Sequence, residues 1–314
     1  MSGLKTNIPK AKKQIDSCDH VVFIGSCFSE HLSKSMRDLG LHVSADQIGT
    51  LFHPFSISKV LRLAMTESSD DAIFQKEDVF LSWNFPSTLY ALDEQSLRTS
   101  IDQALKNLHT SLRQANYLFI TFGTDFYYFH QQEQIKVANC HKVPATEFEK
   151  RLASVHEVYE DYTLLLQELK IFNPALEIVF TVSPVRHGKD GLVENNRSKA
   201  RLLEVIHSLV DAKLAQYFPA YEIILDELRD YRFFEADFVH PNTEAIRYVW
   251  NRFVATYFSE ANLQLMEEVN QYLSAKNHRI MHKGSAAARK HEAHCEQLQT
   301  ALKIKYPQLN WRYL

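Results

Sequence analysis

The amino-acid sequence predicts an α/β protein built on a parallel, doubly wound sheet. Two observations carry this: short apolar runs alternate with helix-length amphipathic stretches, and a glycine or a Ser-Pro break follows the apolar runs. With only 8 glycines in 314 residues, a glycine closing an apolar run marks a position with a special backbone need.

Val21-Val22-Phe23-Ile24 reads as the first strand, closed by Gly25-Ser26 and followed by a helix-like Glu30 to Leu39. A helical stretch from Glu94 to Gln114 leads into a buried strand, Tyr117 to Thr121, and then Gly123. A helical 147–170 precedes the strand Glu177 to Val182 and the break Ser183-Pro184. A further helix, Asn195 to Tyr217, leads to a strand from Glu222 to Leu225. Sheets of this kind bind ligands beyond the C-terminal ends of their strands, at the point where strand order reverses. The loops Gly25-Ser26, Gly123-Thr124, Ser183 to Arg186 and Asp237 to His240 are expected to gather there. From about Tyr257 the chain turns polar, and 260–304 reads as one or two helices separated near Lys283-Gly284. The expected division is a catalytic-type domain over 1–256 and a helical extension over 257–314, the extension being a candidate homo-oligomer contact without chemistry of its own.

Hydrophobic residues make up 45% of the chain, enough for a sizeable core, which argues against disorder. A net charge of −3 offers no electrostatic case for nucleic acid or an anionic membrane as partner. Met1 to Asp16 carries no apolar run of signal-peptide length, and no stretch reaches the roughly eighteen apolar residues of a membrane span. Cys18, Cys27, Cys140 and Cys295 lack CxxC spacing, so reduced thiols in a cytoplasmic protein are the simplest expectation. The expected partner is a small molecule, with no cofactor and no metal.

Ser26 stands at the strand-to-helix turn, where a nucleophile would be presented at the sheet edge with helix N–H groups nearby. On position alone, a helix N-cap explains it better. Asp237-Phe238-Val239-His240 changes the balance, because a carboxylate three residues before a histidine can fix its tautomer and free the other ring nitrogen to take a serine's proton. Cys27 is a competing nucleophile, but it is expected to point into the core. Asn139-Cys140-His141-Lys142 mixes metal-ligand types, yet His53, His130 and His141 show no zinc spacing; Asn139 fits better as an oxyanion or substrate donor. Arg186 would clamp a substrate anion or pair with Asp226, Glu227 or Asp230. Phe126-Tyr127-Tyr128-Phe129 fits a sugar- or acyl-binding wall as well as alternating core packing.

These residues resemble a known family. Gly25-Ser26-Cys27-Phe28-Ser29 is similar to the motif that names the GSCFA family, a bacterial branch of the SGNH (GDSL-like) hydrolase superfamily. Further blocks agree in order: 48–54, 121–124, 137–142, 181–187, 226–233 and 237–241, so the resemblance spans roughly residues 5–255. It implies a three-layer α/β/α flavodoxin-like fold with Ser26 as nucleophile, His240 as base and Asp237 as its partner. An oxyanion hole of the Ser26 N–H, Gly49 and an asparagine is also implied. Gly123-Thr124-Asp125 stands where Gly-x-Asn is expected, which leaves Asn139 as the substitute donor and makes an anionic Asp125 a problem unless it points away or stays protonated. Many relatives carry a His-His pair where this chain has Phe85-Pro86. Substrate-binding candidates are His53, Gly123, Thr124, His141 and Arg186. The implied activity is a serine esterase acting on an O-acyl ester, such as an acetyl ester, of a small molecule or carbohydrate. The alternatives are an O-acyltransferase working through the same acyl-enzyme, and a non-catalytic module that binds a carbohydrate or acyl ligand.

Overall fold

A computed structural model describes residues 4–45, 47–68, 72–282 and 284–314. In chain order its first elements are β1 (His20–Gly25), α1 (Phe28–Arg37), β2 (His42–Ser44), α2 (Pro54–Thr66), β3 (Ile73–Lys76), β4 (Val79–Ser82) and α3 (Glu94–Gln114). Next come β5 (Tyr117–Phe122), β6 (Phe126–His130), β7 (Ile135–Val137), β8 (Phe148–Leu152), α4 (Val155–Phe172), β9 (Glu177–Val182) and α5 (Gly191–Asp211). The chain ends with β10 (Gln216–Tyr217), α6 (Ala220–Glu222), α7 (Thr243–Tyr257), α8 (Glu260–Lys276) and α9 (Ala286–Lys305).

The central sheet is parallel, in the order β10-β9-β5-β1-β2. All six residues of β5 are buried, as are five of the six in β1 and in β9. Continuous apolar runs of this kind belong to strands covered on both faces. Alternate side chains divide accordingly. Val22, Ile24, Leu118, Ile120, Ile178 and Phe180 pack with residues of α2 to α5. Val21, Phe23, Tyr117, Phe119 and Val179 pack with α1 and α7. The result is a three-layer α/β/α sandwich whose strand order reverses between β1 and β5. Residues of the C-terminal helices, among them Leu265, Val269, Tyr272 and Leu302, join the second cluster with Val21 and Phe23. Lys283, half of the expected break before α9, lies outside the described residues.

Three expected elements differ. The helix expected over 147–170 is split: Phe148–Leu152 is a strand, and the helix starts only at a capping box in which Ser154 and Glu157 bond reciprocally. That strand pairs with β6, and Lys150 and Arg151 lie over the rings of Phe126 and Phe129 at 4.2 and 4.0 Å. These cation–π contacts suit charged residues to a strand that their composition alone marks as helical. The helix expected over Asn195 to Tyr217 ends at Asp211, and the fifth strand is the two-residue β10 beside Val179 and Phe180. The strand expected at Glu222 to Leu225 is helical: α6 runs into a π-helical turn, Ile223–Leu228, with Ile223 and Ile224 buried. A short apolar run does not by itself distinguish a strand from a buried helix.

Outside the main sheet, β3 and β4 form a hairpin, and β7-β6-β8 forms a small antiparallel sheet after β5. The aromatic stretch expected as a ligand wall is β6. Its Tyr127 is buried against His53 and Phe55, while Tyr128 is partly exposed. No helix among the described residues is long and apolar enough to cross a membrane.

Candidate active site

The turn after β1 is fixed by sterics. Gly25 has φ +126°, and a Cβ there would lie 2.2 Å from the Thr121 carbonyl oxygen. Its own carbonyl accepts from Leu51 N–H at 2.9 Å, and Ser26 N–H donates to Thr121 at 3.0 Å. The chain then enters α1, where Ser29 Oγ donates to the Ser26 carbonyl at 2.8 Å. Ser26 is 1% exposed, and its Oγ has no hydrogen-bond partner among the described residues. The turn therefore does not use Ser26 as an N-cap. An unbonded buried hydroxyl costs about 1–3 kcal/mol, and such groups call for an explanation. Cys27 is half-buried, so the expectation of a core cysteine beside an exposed serine is reversed. Burial, followed by the charge of Glu30, pushes its thiol pKa up.

Asp237 and His240 meet as expected. His240 Nδ1 lies 2.6 Å from Asp237 Oδ2, while Asp237 Oδ1 accepts the N–H groups of Val239 and His240 at 2.8 and 3.0 Å. The hydrogen-bond pattern assigns the neutral ring's proton to Nδ1, leaving the Nε2 lone pair free. The His240 side-chain bond, then the two backbone N–H groups, hold the Asp237 carboxyl down at about 2. Both side chains are about half exposed, at 52% for His240 and 49% for Asp237. His31, on α1 beside the Ser26 turn, has its pKa lowered by burial, against the pull of Glu30. Because Ser26 Oγ has no partner, the serine–histidine bond of a closed triad is not formed here.

The loop carrying the dyad is held by Arg186. Its Nη1 donates to the Phe238 carbonyl at 2.8 Å, and its guanidinium lies 4.2 Å from the Phe234 ring centre. Neither an ion pair to Asp226, Glu227 or Asp230 nor an open clamp describes this geometry. Phe238 has φ +57°, uncommon for an aromatic residue, and its exposed ring sits edge-on to Tyr231 at 5.5 Å. Asn242 secures the far end by capping α7 and donating to the Arg232 carbonyl at 2.7 Å. Arg186→Ala is expected to lower turnover about tenfold for charged and neutral esters alike, since a lost charge-assisted bond is worth about 1.5–3 kcal/mol locally. A loss confined to anionic substrates, read from kcat/KM on a matched pair, would instead make Arg186 a substrate clamp.

Several expected substrate contacts are already occupied. His53 caps α2: its Nδ1 accepts from Phe55 N–H at 3.0 Å, and its Nε2 lies 3.2 Å from the Asp125 carbonyl. Burial takes its pKa down to about 3, so it is a neutral structural ring. The N–H groups of Gly123 and Thr124 both donate to the Phe52 carbonyl. His141 donates from Nε2 to the Ser82 carbonyl at 2.8 Å and packs on Phe74 and Trp83. Asn139 Oδ1 accepts from His141 N–H and Ser87 Oγ. Gly49 has φ +85°, and a Cβ there would meet Pro86 and Thr88, the residues flanking Ser87. The 86–88 segment thus lies between Gly49 and Asn139. A recess of about 20 Å³, the size of one water, is lined by Gly25, Ser29, Glu30, Gly49 and Thr50. A cleft of about 840 Å³ lies elsewhere, lined by residues such as Phe55, Arg62, Trp83, Lys136 and Asp161.

Asp125 faces α5. Its N–H donates to Ser198 Oγ at 2.6 Å, and its carboxyl is 3.3 Å from Arg201 Nε, at ion-pair distance but misaligned for a hydrogen bond. Burial raises its pKa to about 7 against the pull of Arg201. The sequence reading missed this polar face of α5, made of Asn195, Ser198, Lys199 and Arg201. On a helix these residues read as solvated, and only Ser198 and Lys199, four and three residues before buried Leu202, hint otherwise. Among the described residues, no group of three or more His, Cys, Asp or Glu side chains is arranged to hold a metal ion.

A doubly wound parallel sheet, reversing its strand order where Ser26 leaves β1, defines a flavodoxin-like α/β protein. The sequence profile of the GSCFA family matches residues 20–253, most of the chain, and the protein belongs to that family. No curated protein matches it. Two solved structures that do match are a carbohydrate esterase family 3 protein from Talaromyces cellulolyticus and an acetyl xylan esterase (Est2A) from the rumen bacterium Butyrivibrio proteoclasticus. The first is 7% identical with a TM-score of 0.35, covering 81% of this chain and 99% of its own. The second is 10% identical with a TM-score of 0.40, covering 80% of this chain and 64% of its own. Neither likeness is close enough to carry chemistry across.

Proposed function

We propose that this protein is a serine ester hydrolase acting on an O-acyl ester of a small molecule or carbohydrate, with Ser26, His240 and Asp237 as its triad. The observation that supports the reading is the Asp237–His240 bond, which leaves Nε2 free, together with a buried Ser26 Oγ that has no partner among the described residues. Ser26 Oγ bonds to the ester carbonyl carbon as its proton passes to His240 Nε2. The proton then goes to the departing alkoxide, which leaves as the alcohol. Water repeats the sequence on the acyl-enzyme and releases the acid. Gly49 N–H, which has no acceptor among the described residues, is the proposed oxyanion donor; the Ser26 N–H is taken by Thr121, and the 86–88 segment separates Asn139 from Gly49. Closing the triad requires Ser26 Oγ and His240 Nε2 to come within hydrogen-bond reach when substrate binds. A sugar hydroxyl in place of water would make the same acyl-enzyme a transferase.

A second reading, a binding module for an acylated or glycosylated ligand, is favoured by the missing Ser26–His240 bond. Purified protein and Ser26→Ala would be incubated with p-nitrophenyl acetate, butyrate and octanoate, and with a fluorophosphonate probe read by mass spectrometry. The expected result is labelling of Ser26 and a loss of turnover of about a thousandfold or more in the variant. Turnover that survives Ser26→Ala sinks the assignment. Folded wild type with neither turnover nor label favours the binding module.

A further inference from the structure

Lys199 is a lysine buried at 2% exposure, with no ion-pair partner among the described residues. Its Nζ donates to the carbonyls of Gly123 at 2.6 Å and Ser183 at 2.7 Å. These two carbonyls stand just past the ends of the neighbouring strands β5 and β9, where the ladder stops supplying donors. The next strand, β1, leads to the Ser26 turn, and Ser26 N–H is itself bonded to β5 through Thr121. Two neutral acceptors compensate poorly for the desolvation of an ammonium, which costs several kcal/mol in a protein interior. Methionine would fill the same space without that cost. Methionine would, however, leave both carbonyls without a donor, so the lysine caps the two strand ends as well as carrying a charge.

We propose that Lys199 is a positioning residue of the nucleophile turn, a buried cation that ties the ends of β5 and β9 together and sets its charge against Ser26-Cys27. The proposal rests on the reading of Ser26 as nucleophile. The facing groups are few. From α1 comes the Cys27 thiol, which acts on Lys199 and is acted on by it, with Glu30 behind it. From the end of β5 comes Asp125, occupied with Ser198 and Arg201 of α5. From the end of β9 comes the Ser183 carbonyl. Burial lowers the Lys199 pKa to about 7. An amine keeps two N–H donors after losing its proton, so raising the pH removes the charge and leaves both carbonyl bonds satisfied.

Below pH 7 Lys199 is protonated folded and unfolded, and contributes no pH dependence to stability. Between pH 7 and about 10.5 the folded chain has released this proton while the unfolded chain still holds it, so this group makes stability rise with pH. Turnover is expected to move the other way, falling as pH rises through 7, because the charge coupled to the Ser26-Cys27 turn is lost.

Lys199→Met removes tie and charge together. In the full chain, its kcat is expected to fall about tenfold or more at pH 6, with KM little changed and without the wild-type alkaline limb. A second readout needs no catalysis. Cys27 alkylation by iodoacetamide, followed by peptide mass spectrometry, should be several-fold faster in wild type than in Lys199→Met below pH 7, with the rates converging above pH 8. Equal Cys27 rates at every pH, or a folded Lys199→Met with wild-type kcat and pH profile, overturn the proposal. A normal Cys27 contrast with no serine-dependent turnover instead sinks the esterase reading and leaves the charge assignment standing. If Lys199→Met does not fold, the wild-type alkylation profile decides: a break near pH 7 supports the proposal, and a single thiol ionisation overturns it.

Discussion

Gly25→Ala is expected to yield little or no folded protein. The methyl carbon would sit 2.2 Å from the Thr121 oxygen and 2.9 Å from two further Thr121 backbone atoms, and backbone inside a five-stranded sheet has no room to retreat. The φ of +126° adds strain that only glycine escapes. Relief would require parting β1 from β5, breaking the Ser26–Thr121 bond and endangering that from Leu51 to Gly25. A cost above about 4–5 kcal/mol is consistent with such a defect, against a total stability of about 5–15 kcal/mol. Gly191→Ala is the control. Its backbone, at φ +78° and ψ 162°, also favours glycine, yet nothing lies within 4 Å of the added carbon, so only strain of about 1–3 kcal/mol is expected, without a clash. Soluble yield and Tm measured side by side check the contrast. A Gly25→Ala protein melting within a few degrees of wild type would show that the turn is not sterically closed.

The chain declares the sheet in its local pattern because β1, β5 and β9 are buried on both faces and must be apolar throughout. It conceals β8, whose Glu149, Lys150 and Arg151 favour a helix until the aromatic face of β6 is beside them. It conceals β10 as well, since two residues carry no periodicity. The site divides along the same line. Gly-Ser after a strand and Asp-x-x-His before a helix are contiguous and can be read directly. Lys199 and Asp125 acquire meaning only from what lies across the sheet edge from them. His53 and His141 were expected at a substrate but have their ring nitrogens occupied by the fold, a matter of tertiary contacts that residue type does not reveal. Arg186 was read as a choice between a substrate anion and a protein carboxylate, whereas a backbone carbonyl and an aromatic face hold it.

These contacts suggest why so exposed a dyad can hold its geometry. Water screens a half-exposed ion pair strongly, so attraction between Asp237 and a charged imidazole contributes little by itself. Orientation is supplied instead by covalent closeness and by backbone. Asp237 is bonded to two N–H groups of its own turn, Glu235 N–H reaches the His240 carbonyl at 2.7 Å, and Arg186 fixes the strained Phe238 between them. The orientation of the imidazole is therefore fixed by its own loop rather than by the ion pair.

Asp237→Asn is accordingly expected to lower kcat/KM by about 10²- to 10⁴-fold while leaving Tm nearly unchanged. The amide oxygen of asparagine would keep the Val239 and His240 N–H bonds, which turns the amide NH₂ toward His240 Nδ1. Nδ1 must then accept, the ring proton moves to Nε2, and no lone pair remains for the Ser26 proton. The effect is one of tautomer, so it appears in kcat with KM little altered, and in loss of fluorophosphonate labelling at pH 7. The pH dependence adds a check. The folded Asp237 carboxyl is held at about 2, below its ordinary value near 3.8, so its stabilising ionisation is complete above about pH 4 and lost as pH falls through 2. Protonation of Asp237 thus contributes nothing to any activity lost above pH 4. An Asp237→Asn protein that keeps wild-type kcat and labelling would remove this carboxylate from the mechanism.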